Sequence, residues 1–150
     1  MIHKEEYDIN YIKAKKLLLK HYKKKLVFEE KEGEGKVNLV AKGVKFGAFD
    51  DDVRMEFTFK EDGVATVTFV FDTLEPTQSN LALVNAFNDN IGFLKAYITE
   101  RNGHHFFAIE YYLYEAPNEK NAVNTLISMV KMLTGDRSKQ FLLPILNLTR

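Results

Sequence analysis

Cysteine is absent from the 150-residue chain, so it has no disulfide, no thiolate zinc site and no thiol nucleophile. Three Pro and eight Gly leave no linker-like stretch, and no internal repeat is present. Apolar runs are short. Leu17–Leu19 falls well below the roughly 7–15 residues of a signal-peptide core, and no run nears the ~18–20 of a membrane span. A net charge of one sign is also missing, since Lys plus Arg and Asp plus Glu both number 21. Whole-chain charge therefore gives no pull toward nucleic acid or an anionic membrane. What is present is the composition of a folded protein: 45% hydrophobic residues, including 12 Phe and 7 Tyr, which excludes disorder as the main state. The expectation is one soluble cytoplasmic domain spanning 1–150.

Two periodicities divide that domain. Asp8 is the expected N-cap of a first helix running to about Lys24, inside a basic amphipathic segment at 1–26. Tyr11, Ile12, Leu18, Leu19, Tyr22 and Leu26 share one helical face, and Lys13, Lys16, Lys20, Lys23 and Lys24 the opposite one. Leu17 and Lys15 fit neither. Residues 1–25 hold eight Lys against Glu5, Glu6 and Asp8, an excess of five positive charges. From Leu26 to Phe71 the apolar period is two. Leu26–Phe28 is a short apolar run that Lys31–Gly35 breaks, and Val37–Ala41 reads as a strand. Val53, Met55, Phe57 and Phe59 then alternate with Arg54, Glu56, Thr58 and Lys60. Gly63 supplies the turn into a strand over Val64–Phe71.

Pro76 with Thr77 or Ser79 opens a second helix with Leu83, Val84, Phe87 and Ile91 on one side. Phe93–Glu100 and His104–Glu115 pair across Arg101-Asn102-Gly103. The later strand is apolar on both faces, which predicts a central place with cover on each side. Asn118 caps a third helix with an apolar stripe from Ala122 to Leu133, and Gly135 takes its C′ position. The order α-β-β-β-β-α-β-β-α is α+β: an antiparallel sheet, a meander plus a second hairpin, covered by helices.

The run Val84-Asn85-Ala86-Phe87-Asn88, then Phe93-Leu94-Lys95-Ala96-Tyr97-Ile98, a turn and an aromatic strand resembles a bacterial family of candidate sensory transduction regulators (YbjN-like). That family has an Asn-x-x-Asn helix end, an aromatic, a Lys-Ala-type strand start and a hairpin. The resemblance covers roughly 37–135. It implies the architecture of type III secretion chaperones, small and often dimeric proteins that bind other polypeptides. It implies no catalytic residue and no cofactor.

The candidate sites are few. Asn85 and Asn88 read as structural, their amides satisfying backbone groups where helix meets sheet. Asp50, Asp51 and Asp52 would hold Mg²⁺ only with ligands from elsewhere, such as Glu56 or Glu110, and neighbouring loop carboxylates more often sit in solvent. His104 and His105 are strand neighbours whose side chains point to opposite faces, and His3 and His21 are isolated. Gly33-Glu34-Gly35-Lys36 lacks the spacing of a phosphate loop. Phe106–Tyr111 departs from the RNA-stacking pattern, so its aromatics are assigned to the core. The Lys13, Lys16, Lys20 and Lys24 face is either solvated or a contact for an acidic protein surface, RNA or an anionic bilayer. In the apolar tail at 136–150, Pro144 would break or start a helix. Phe141, Leu142, Ile145 and Leu146 there are either buried against the third helix or exposed to a partner.

The leading reading is a non-enzymatic, protein-binding adaptor or chaperone-like regulator, homodimeric, with no metal or cofactor. Its partner-binding set is Phe141, Leu142, Ile145 and Leu146, then Lys13, Lys16, Lys20 and Lys24. Two other readings stand beside it. One is a small inhibitor or immunity-type protein from a phage or a bacterial conflict system. The other is a metal-dependent hydrolase or nuclease built on Asp50–Asp52.

Overall fold

A computed structural model describes residues 10–22, 26–33, 36–44, 53–60, 63–114, 116 and 118–149. Six strands form one antiparallel sheet: β1 (Glu29–Gly33), β2 (Lys36–Val44), β3 (Val53–Lys60), β4 (Ala65–Thr73), β5 (Lys95–Arg101) and β6 (His104–Leu113). Their spatial order is β1-β2-β3-β4-β6-β5, a four-strand meander with the last hairpin added through β6. Helices α1 (Tyr11–His21), α2 (Gln78–Asn90), α3 (Glu119–Leu133) and α4 (Asp136–Leu146) complete the α+β fold. Alternation sets the faces. Val53, Met55, Phe57 and Phe59 are buried, and the register aligns Met55 with Phe69 and Ile109 across three strands. α1 packs over β2 and β3, α3 over β4 and β6, and α2 over β5, so the helices share that face. Buried side chains from Ala14 to Leu146 form one cluster.

Several local expectations are corrected. The cap of α1 is Asn10, whose side-chain oxygen accepts from the amides of Ile12 and Lys13 at 3.0 and 3.2 Å; Asp8, Lys23 and Lys24 lie outside the described residues. The buried stripe of α1 is Ala14, Leu18 and Tyr22, while Ile12 is exposed and Leu17 packs partly against the core. A seam of four-residue spacing fits the helix period better than the wider face read from sequence. The charged stretch at Glu29–Gly33 is itself an edge strand, because an edge needs only one neighbour and leaves Glu29, Glu30 and Lys31 exposed. Gly135 does follow the C-cap Thr134 of α3, as expected, but with φ −72° it is not left-handed and serves at once as the N-cap of α4. The hairpin turn does use that region, at Asn102 (φ 54°) and Gly103 (φ 79°).

Pro144 neither breaks nor starts α4. It removes one amide near the helix end, where the orphaned carbonyl belongs to exposed Gln140 and can reach water. Ser138, Leu142, Ile145, Leu146 and Thr149 make the buried stripe of this helix and its exit. α4 packs against α2 and, less extensively, α3.

β6 is interior, between β4 and β5. Cover on both of its faces is not what the structure shows. Phe107 and Ile109 face the helices, whereas Tyr112, on the other face, is 42% exposed and Tyr114, just past the strand, 67%. Among the described residues no helix packs on that second face, which its own polar side chains cover instead.

Candidate functional site

That open face carries the best-organised polar network of the described residues. Arg54 and Glu56, two apart on β3, point the same way and are joined at 2.8 Å from Nε to Oε1. Arg101, at the end of β5, donates both Nη atoms to the two Glu56 oxygens at 3.2 Å. β4 and β6 separate these strands, so the Arg101 and Glu56 side chains together bridge three strand spacings, about 14 Å. Burial alone would raise the Glu56 carboxyl, but the bonds from Arg101 and Arg54 outweigh it and hold the carboxyl below its ordinary value. Beside it, Glu110 accepts from the Tyr97 hydroxyl at 3.3 Å and from Thr68 Oγ1 at 3.4 Å. Burial, then the Glu110 charge, pushes Tyr97 up to about 12. The two carboxylates that the sequence offered as extra metal ligands are thus already engaged. Asp50, Asp51 and Asp52 lie outside the described residues, and among those described no group of three or more metal-ligating side chains occurs.

On the helical side, α1 and α3 do not close on each other completely. A trough of about 360 Å³ lies between them, with Leu17, Val123 and Ile127 as its floor and Lys20, His21 and Lys120 on its rim. Asn10 at the start of α1 donates its amide to Glu119 Oε1 at 2.9 Å, which ties the two helix starts together. Helix geometry explains the lining. On α1, Leu17, Lys20 and His21 fall at i, i+3 and i+4; on α3, Lys120, Val123, Asn124 and Ile127 fall at i, i+3, i+4 and i+7. Lys15 is paired with Glu30 at 2.9 Å. Among the described residues Lys13, Lys16, Lys20, Lys120 and Lys131 take part in no ion pair. α1 contains no acidic residue and α3 only Glu119.

The structure separates the residues singled out from sequence. Leu142, Ile145 and Leu146 are buried inside the fold and Phe141 is half-buried against the core, on a helix that packs against α2. Lys13, Lys16 and Lys20 are exposed on α1, and Lys24 is outside the described residues. Asn88 fastens α2 to β5: its amide donates to the Ala96 carbonyl at 2.8 Å and its oxygen accepts from the Ala96 amide at 2.7 Å. Asn85 is exposed and makes no such bond. His104 is exposed, while His105 sits 3.7 Å from both Glu75 and Glu100 on the other side of the strand. Sequence reading missed the trough floor, although Leu17 had signalled it by fitting neither face of α1. It also missed the Arg101 strap, for which no local spacing exists.

No protein-family model matches the chain, and no curated protein matches it. Among solved structures, the crystal structure of YbjN from E. coli, described as a candidate transcription regulator, aligns with TM-score 0.54 over 89% of each chain. The fold is that of YbjN. At 11% identity the likeness to YbjN concerns the path of the backbone, as the resemblance around Asn88 and Lys95 had implied. No helix among the described residues is long and apolar enough to cross a membrane.

Proposed function

We propose that this chain is a non-enzymatic regulator or adaptor that acts by binding another polypeptide, with the α1/α3 trough as its contact surface. The observation that carries this reading is an apolar floor left open between two packed helices and flanked by Lys20 and Lys120, neither of which takes part in an ion pair among the described residues. Apolar surface left open beside unneutralised charge is the usual make-up of an interface core and rim. The YbjN fold and that protein's description as a candidate regulator are compatible with it. A homodimer in the cytoplasm is the arrangement that the type III chaperone-like architecture implies.

The test is a photo-crosslinking amino acid placed at Asn124 in the trough and, as control, at Asp89 on α2. Crosslinks to a polypeptide from Asn124 that vanish when Leu17→Asp is added support the reading. Crosslinks from Asp89 alone, or none from either, overturn it. Light scattering of the purified chain reads the homodimer directly, and a mass of one chain at micromolar concentration removes that part.

A further inference from the structure

We infer that the trough receives an acidic amphipathic helix of about two turns, an inference that rests on the protein-binding reading above and names the chemistry of the partner. The argument is one of charge and shape. Lys20 and His21 line one bank, and Lys120 the other. The α3 side of the trough runs from Lys120 to Ile127, seven residue steps or about 10 Å along a helix axis, which matches roughly two turns of an incoming helix. The floor between these banks is aliphatic, supplied by Leu17, Val123 and Ile127. A helix placing apolar side chains at i, i+3 or i+4, and i+7 into such a floor puts its flanking positions against the banks. Those flanks meet lysine on both sides, and α1 and α3 carry one carboxylate in total, Glu119, which is already turned to the Asn10 amide. Glu or Asp at the flanks is therefore favoured, and Lys or Arg there meets like charge.

The other anionic partners fit less well. Single-stranded RNA is held by rows of exposed rings that stack successive bases, and the trough offers a single ring, His21 on its rim. A bilayer surface needs a raised apolar face to enter the interface, whereas Leu17, Val123 and Ile127 lie at the bottom of a concavity between two cationic banks.

The experiment uses the full chain and two synthetic 14-residue helical peptides with the same Leu stripe, one flanked by Glu and one by Lys. Fluorescence anisotropy is expected to show the Glu peptide binding at least tenfold more tightly, with the difference shrinking as salt rises. Lys20→Glu with Lys120→Glu is expected to reverse the preference. These positions are exposed, so the folded state, checked by circular dichroism, survives the change. Equal binding of both peptides, binding of neither, or tighter binding to phosphatidylserine vesicles or poly(U) overturns the inference. Polypeptide crosslinks from Asn124 together with any of those results would leave the protein-binding reading standing and remove only the acidic helix.

Discussion

Single side chains hold this fold together at two places that differ in kind. Asn88 closes both backbone groups of Ala96. Asn88→Ala leaves a donor and an acceptor without their partner, and is expected to cost about 1–3 kcal/mol in chemical denaturation. Asn85→Ala, three residues earlier and exposed, is expected to change stability by less than about 0.5 kcal/mol; equal losses would refute the assignment. Glu56 is the second place. Its carboxyl, held low by Arg101 and Arg54, stabilises the folded chain at pH values above the unfolded glutamate pKa, about 4.3. That contribution drains away as pH falls below it toward the folded value. Acid titration of stability is expected to be shallower in Glu56→Gln than in the wild type, and superimposable slopes would sink the claim. At neutral pH the same change is expected to cost about 1–2 kcal/mol, near the low end because both guanidinium groups reach water.

At the level of elements, legibility followed the range of the forces involved. β3 was plain because Val53 to Phe59 alternate without exception, and one buried face is all that alternation encodes. α3 was plain because Asn118 caps it and the stripe repeats for four turns. The charged β1 was not, since edge pairing depends on β2 being there and not on residues 29–33 themselves. α4 was ambiguous for a related reason: a short helix with apolar residues most of the way round does not say which side is covered. The fold answers with α2. Leu142→Ala is therefore expected to lose about 2–5 kcal/mol, against little for exposed Leu143→Ala, measured as shifts of the denaturation midpoint. Comparable small effects at both would put α4 back on the surface. The trough belongs to this scale as well. Each of its helices shows its lysines in sequence, but that the two stand side by side depends on the sheet beneath them.

For the whole molecule, the neutral total of 21 cationic and 21 acidic residues conceals unlike faces. The helical layer carries Lys20 and Lys120 beside an apolar floor, neither in an ion pair among the described residues, while the open sheet face ties Arg54, Glu56 and Arg101 into one network. Binding at the first face is thus expected to be strongly salt-dependent. The sheet order has a further, kinetic consequence. Among themselves β1 to β4 pair as sequence neighbours, so that half closes small loops and can form early. β4 must then wait for β6, whose pairing joins positions such as Thr68 and Glu110, 42 residues apart. Val67→Ala in the early half is expected to slow refolding, whereas Phe107→Ala mainly speeds unfolding, in stopped-flow measurements. During the wait, β4 presents an unpaired edge of Val, Phe and Thr to any other chain in the same condition. Refolding yield is expected to fall as protein concentration rises, because the strand that completes the sheet is the one that the chain supplies last.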